Sequence, residues 1–390
     1  MALIIRNALL VLADGLLSGG LRIDGAAITD VGPALVEDQA AHIIDAGGLL
    51  LAPGFVDLQL NGAFGYDFTA DPDTMWAVAE RLPRYGVTDF LPTIITAPPG
   101  AIPAAQAALA RGAPSSLGPH ARPLGLHLEG PFLNPAKRGA HPAEHLRLPA
   151  AEVAADWSRD SGVRLVTLAP ELPGALDLTR QLVQRGVVVS MGHSAATYAE
   201  AEAGLDAGIT YGTHLFNAMA PFQHREPGIA GTLLSDERAV AGLIVDGVHV
   251  HPGAIGVAWR AKGPGGLNLV TDAMAGLGLS EGTFRLGERD VTVQDGTVRL
   301  LDGTLAGSVL SLDHAVRNLI AMTGCGVPEA IQTVTEVPAR LLGMTGRLGR
   351  LEPGAPADLV WLTPELNVAA TWVGGCLTYQ AEGMVFDGSA

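Results

Sequence analysis

Leu124-Gly125-Leu126-His127-Leu128-Glu129-Gly130-Pro131 is an apolar run that ends in a carboxylate and is cut off by a glycine and a proline. A run this short fits a buried strand better than a helix. It is one of eight between residues 54 and 273: 55–60, 87–95, 124–129, 164–168, 187–191, 209–215, 241–245 and 267–271, each leading into glycine or polar residues. Segments of helical character lie between them, at 72–85, 151–159, 175–185 and 198–207. Strands alternating with helices imply parallel βαβ units, and eight such units imply an α/β fold of the (β/α)8 TIM-like barrel type.

Working outward, the chain ends read differently. Residues 2–51 hold short alternating runs separated by turn signals such as Asp24-Gly25 and Gly47-Gly48. After a helix near 328–342, the tail is strand-like again at Asp358-Leu359-Val360-Trp361 and over 368–379. The economical arrangement joins 1–52 and 354–390 into a small β-sandwich domain beside a catalytic barrel of residues 53–353. Residues 283–304 alternate around Asp295-Gly296 and predict a β-hairpin inserted after the last barrel strand.

Composition bounds the function classes. The 390 residues are 48% hydrophobic and only 16% charged, which means an ordered globular protein with a large core. Cys325 and Cys376 lie far apart, so neither a disulfide nor a thiolate metal site is expected, and a cytoplasmic location fits. No run approaches the roughly 18 apolar residues of a membrane span. The start is interrupted by Arg6 and Asp14, unlike a secretory leader, so a soluble protein is expected. A net charge of −16 repels nucleic acid and anionic membranes, and neither is an expected partner. The same charge repels a phosphorylated substrate, so a phosphate site needs a local cationic pocket.

In such a barrel the chemistry sits at the C-terminal ends of the strands. The third strand ends in Glu129, the fifth in His193 and the eighth in Asp272, while the sixth carries His214. Glu129, His193 and His214 make a three-ligand open metal site, with Asp272 left over to carry a water's proton. Each residue alone has a plainer reading. A lone strand histidine is more often a hydrogen-bonded core residue, and a carboxylate at a strand end is usually a helix cap or an ion-pair partner. Convergence of four on one mouth makes coincidence less common and sets the metal site level with those plainer readings.

Longer stretches carry a resemblance. They are Pro53-Gly54-Phe55-Val56-Asp57, Gly125-Leu126-His127-Leu128-Glu129-Gly130-Pro131-Phe132, Met191-Gly192-His193-Ser194, and Thr213-His214-Leu215-Phe216-Asn217-Ala218-Met219. Arg225-Glu226-Pro227-Gly228, Asp246-Gly247-Val248-His249 and Val270-Thr271-Asp272-Ala273 follow in order. Together they resemble the N-acetylglucosamine-6-phosphate deacetylases, a branch of the amidohydrolase superfamily.

The resemblance implies hydrolysis of an acetamide on a small phosphorylated amino sugar, with one divalent metal per subunit, zinc first and iron second. It implies that His141 stabilises the oxyanion or binds a sugar hydroxyl, its plainer reading being a surface loop histidine. It gives the phosphate to Arg225 and His249, with Asn217 and the backbone at Ala218 completing the grip. It also implies a homodimer in which Arg225 serves the neighbouring subunit. Many superfamily members carry a His-x-His pair on the first strand; here Gln59 and Asn61 stand in those places, as vestigial second-metal positions. Lys137 and Arg138 read as a solvent-facing loop pair, and Met219 and Met274 as pocket wall. Two other readings remain: another amidohydrolase activity, such as a cyclic-amide hydrolase, or an inactive barrel acting as a binding scaffold. The first lacks a lysine at the end of the fourth strand, Thr167-Leu168-Ala169-Pro170.

Overall fold

Strands covered on both faces are mostly apolar, and the strands that line the barrel here are buried along nearly their whole length. The computed structural model describes residues 2–35 and 41–384. Its barrel strands are β1 (Phe55–Leu60), β2 (Val87–Ile95), β3 (Leu126–Glu129), β4 (Val163–Leu168), β5 (Val188–Met191), β6 (Tyr211–Gly212), β7 (Val240–Leu243) and β8 (Leu267–Leu269). Each pairs in parallel with the next from β1 to β8. Between β8 and β1 the barrel closes through looser contacts. Asp272 N–H donates to the Gln59 carbonyl at 2.9 Å, and Asn61 N–H donates to the Ala273 carbonyl at 2.7 Å.

Two helical expectations need correction. Residues 151–159 form turns rather than a helix, because Trp157 is buried and Ser158–Gly162 fold back on themselves through Ser158–Ser161 hydrogen bonds. The 328–342 helix is two short ones, Val327–Gln332 and Glu336–Leu341; Thr335 between them has non-helical φ −128° and ψ −80°. Elsewhere the connecting helices follow local signals. Tyr198–Asp206 begins in a capping box in which Thr197 and Glu200 bond each other's backbone N–H.

Head and tail meet in one eight-stranded sheet, where Leu50–Pro53 runs antiparallel to Leu359–Leu362. The sheet curls round a separate core that includes Ile5, Leu21, Trp361 and Trp372. Ala357 N–H donates across the curl to the Ala26 carbonyl at 2.8 Å. Residues 1, 36–40 and 385–390 of the expected head-and-tail domain lie outside the described residues. Sheet and barrel are pinned together by Arg122, which donates to both oxygens of buried Asp89 at 2.9 Å and also to Asp358.

The insertion after β8 has three antiparallel strands, Gly282–Leu286, Arg289–Gln294 and Thr297–Arg299, one more than a hairpin. Its second turn places Asp295 and Gly296 at positive φ, the geometry that a two-residue hairpin loop needs. The apolar side of the insertion packs on Ile95, Met274 and Ala275, so it lies over one side of the barrel mouth. No helix among the described residues is long and apolar enough to cross a membrane.

Candidate active site

A strand end aims its side chain wherever the last backbone torsions point it, and here those torsions are unusual. His193, His214 and Asp272 have φ of +48°, +32° and +47°, in the left-handed region that costs non-glycine residues about 1–3 kcal/mol each. All three follow the last regular residue of their strand and turn inward over the barrel axis, where Glu129 from β3 meets them. The four are buried together in a cavity of about 410 Å³.

Glu129 Oε1 lies 3.2 Å from His193 Nε2 and 3.1 Å from His214 Nε2, and the two nitrogens are 3.1 Å apart. Donors at the corners of a tetrahedron with metal bonds of about 2.0 Å sit about 3.3 Å apart, so this nearly equilateral triangle fits the face of such a site. The tautomer fits as well. His193 Nδ1–H donates to the Lys137 carbonyl at 2.9 Å, so Nε2 is the nitrogen free to give its lone pair to a cation or, when protonated, a hydrogen bond to Glu129. Burial alone would raise the Glu129 pKa, yet the hydrogen bonds and charge of the two imidazoles hold it well below its usual value. The group is an anionic two-nitrogen, one-oxygen set able to hold a divalent cation.

Asp272 Oδ1 accepts Asn61 Nδ2 at 2.8 Å and Gln59 Nε2 at 3.2 Å, and the same Gln59 nitrogen donates to Glu129 Oε1 at 3.1 Å. The two amides thus spend their N–H groups on the paired carboxylates. Burial, and then the charge of Glu129, push the Asp272 pKa up to about 6, close to where a proton carrier works best.

His141 is not a surface loop residue. It is 4% exposed, packs edge-on against His193, and receives the Thr96 N–H on Nδ1 at 3.3 Å. Burial, then the neighbouring His193, lower its pKa to about 3, so the ring is neutral with its proton on Nε2. That nitrogen lies 3.8 Å from Glu129 Oε2, which leaves an N–H donor beside the triangle. His127, two residues before Glu129, is the core histidine of the plainer reading. It bonds Thr93 and Thr167 inside the barrel, and burial lowers its pKa to about 4.

The proposed phosphate residues divide. His249 lines the cavity, with Nδ1 2.6 Å from Asp246 Oδ2, and Ala218 and Asn217 line it beside His214. Arg225 is exposed on the loop after β6 and does not line the cavity of its own chain. Lys137, expected to face solvent, lines the cavity through its loop; Met219 lines it too, whereas Met274 lies in the core beneath the insertion. Four further residues belong to the site without a prior expectation: Thr96 and Asp246, which orient histidines, and Arg299 and Leu305, which the insertion brings to the wall. A carboxylate three residues before His249 was visible in the sequence; the other contacts cross between elements and leave no local signal.

Residues 50–378 match the model of the amidohydrolase family. The chain is 42% identical to an N-acetylglucosamine-6-phosphate deacetylase of Bos taurus, covering 96% of this chain and 95% of that one. It is 40% identical to an N-acetylgalactosamine-6-phosphate deacetylase of Escherichia coli, over 88% of this chain and 92% of the relative. Among solved structures it resembles a variant N-acetyl-D-glucosamine-6-phosphate deacetylase from Mycobacterium smegmatis in complex with N-acetyl-D-glucosamine-6-phosphate. The TM-score is 0.88 at 36% identity, covering 97% of this chain and 99% of that one.

Proposed function

The chain belongs to the amidohydrolase family and, within it, to the N-acetylglucosamine-6-phosphate deacetylases, and from that premise we propose that it converts N-acetyl-D-glucosamine 6-phosphate and water to D-glucosamine 6-phosphate and acetate. The observation that carries this reading is the triangle of Glu129, His193 and His214 facing Asp272 within one cavity. A divalent cation held by those three, zinc first and iron second, would supply Lewis acidity that activates a water near neutral pH and polarises the acetyl carbonyl.

The protein's own groups do the rest. Asp272 takes the water's proton as oxygen bonds to the acetyl carbon, then delivers it to the nitrogen as the C–N bond breaks. Its raised pKa suits both tasks, and the Asn61 and Gln59 N–H groups hold its carboxylate in place. His141 offers Nε2–H to the carbonyl oxygen as that oxygen becomes negative, and Thr96 keeps the ring in the donating tautomer. His249, Asn217 and the Ala218 backbone grip the 6-phosphate, and Arg225 reaches it from the second subunit of a homodimer. The exposed position of Arg225, outside its own cavity, supports this last assignment. A cytoplasmic location belongs to the same reading and is supported by the free thiols of Cys325 and Cys376.

The test is acetate release from N-acetylated glucosamine, galactosamine and mannosamine, each with and without 6-phosphate. Metal content is measured on the same protein. The phosphorylated glucosamine derivative should have the highest kcat/KM. Equal values with and without phosphate would contradict the roles of Arg225 and His249, and no acetate from any of them would end the proposal.

A further inference from the structure

Asp57 lies on β1 and is 1% exposed, away from the cavity lining. One of its oxygens accepts the Thr271 hydroxyl at 2.6 Å; the other accepts the amide N–H groups of Gln59 at 3.2 Å and Thr271 at 3.3 Å. No cation forms an ion pair with it among the described residues. A carboxyl here is expensive to ionise, and burial pushes its pKa up to about 7. An asparagine of the same shape keeps the number of bonds only by reversing the one to the Thr271 hydroxyl. It donates to the Thr271 oxygen, the hydroxyl proton leaves for the Gln59 carbonyl 3.2 Å away, and the short 2.6 Å grip on Thr271 is lost. Folding alone therefore gives no reason for an acid at this position, and a locally unfavourable residue points to function.

The acid holds the turn into Asp272. The Thr271 hydroxyl that donates to Asp57 also accepts Ala273 N–H at 3.2 Å, so it spans Asp272 from one side. Ser308 grips the other side, its hydroxyl donating to the Thr271 carbonyl at 2.6 Å and its N–H to the Asp272 carbonyl at 2.8 Å. Asp272 itself sits at φ +47°, a conformation that persists only where its surroundings over-determine it.

We propose that Asp57 is a positioning residue for the deacetylation: through Thr271 it holds Asp272 in its left-handed backbone conformation and keeps that carboxylate aimed at the scissile amide. The inference rests on the role given to Asp272 in the proposed function. Displacement of a reacting group by a fraction of an ångström lowers turnover far more than it lowers substrate binding.

The experiment uses the metal-loaded full chain with N-acetylglucosamine 6-phosphate. If the wild-type chain releases no acetate, the proposed function fails and this inference is not what was wrong. With an active wild type, Asp57→Asn should lower kcat by about tenfold or more with KM within about twofold. Its metal content should match the wild type, and its thermal midpoint at pH 8 should be no lower. Thr271→Val should show a similar kcat loss, and Thr271→Ser, which keeps the hydroxyl, should recover most of it. The Asp57→Asn/Thr271→Val pair should be no slower than the slower single variant, because both cut one connection. Wild-type kcat in Asp57→Asn overturns the proposal, as does a kcat loss matched by lost metal, raised KM or lost stability. Should Asp57→Asn fail to fold, the Thr271 variants decide: equal kcat for Val and Ser overturns it.

Discussion

Asp272 and Asp57 are both buried acids, yet their surroundings give them different work. Asp272 opens on the cavity and takes amide donors on one oxygen, so it can exchange protons with a ligand. Asp272→Asn should keep its metal and lower kcat by about 100-fold or more, the scale of a lost proton transfer. Metal analysis beside turnover checks this, and loss of the metal itself would make Asp272 a ligand first. Asp57 has no such access, and its protonation is read in stability. Its folded pKa of about 7 lies above the usual 3.8, so between those values the folded chain holds a proton that the unfolded chain has released. Its contribution is therefore fully present below about pH 4 and lost as pH rises through 7, by up to roughly 4 kcal/mol. Denaturant midpoints from pH 5 to pH 8 should fall for the wild type and fall less for Asp57→Asn; parallel curves would refute the assignment.

Elements reach the site by contacts that span long stretches of chain. The insertion after β8 is anchored to the barrel by Asp67, which accepts Gly287 N–H at 2.9 Å and Ala70 N–H at 2.8 Å. Burial raises the Asp67 pKa, and these bonds to its ionised form oppose the rise. A hydrogen bond to a charged group is worth about 1.5–3 kcal/mol, so Asp67→Ala should release the Gly287 turn. Hydrogen exchange over 282–306 should speed up by about tenfold or more while the barrel strands keep their protection. Uniform change across both would mean that Asp67 supports the barrel generally. Strand length behaves in the same way. The run 209–215 spans seven residues, but β6 pairs for only two of them, and His214 just beyond turns the chain inward at φ +32°.

At the scale of the whole molecule two junctions matter. Arg122 joins sheet and barrel by pairing with Asp89 and Asp358, and removing it leaves two buried carboxylates without their cation. Arg122→Ala should destabilise the protein by about 3–5 kcal/mol, visible as a lower thermal midpoint. A change under about 1 kcal/mol would show that solvent already carries that charge. The second junction is the proposed dimer. Asp272→Asn and Arg225→Ala, each nearly inactive, are dissociated and reassociated in equal amounts. Random pairing makes about half of the dimers mixed, and each mixed dimer holds one site with both residues intact, so about a quarter of wild-type activity should return. No recovery, with subunit exchange verified, would return Arg225 to its own subunit or to the surface.

The sequence by itself determined the alternation of eight apolar runs with helical segments, and hence the barrel. It also marked Glu129, His193, His214 and Asp272 as the polar residues at the strand ends. Both follow from local rules, since strands buried on two faces are mostly apolar and a polar residue at their mouth stands out against them. Only the tertiary structure decided which partners each histidine meets. His127 stands in the run 124–129 and His193 just past the run 187–191, but one meets Thr93 and Thr167 inside the barrel and the other meets His214 and Glu129 at its mouth. The buried state of His141 depends on Thr96, 45 residues earlier, and the hold on Asp272 depends on Asp57, more than 200 residues away. Such pairs leave no periodicity along the chain, because hydrogen bonds between strand ends depend on where the barrel brings them rather than on their neighbours in sequence.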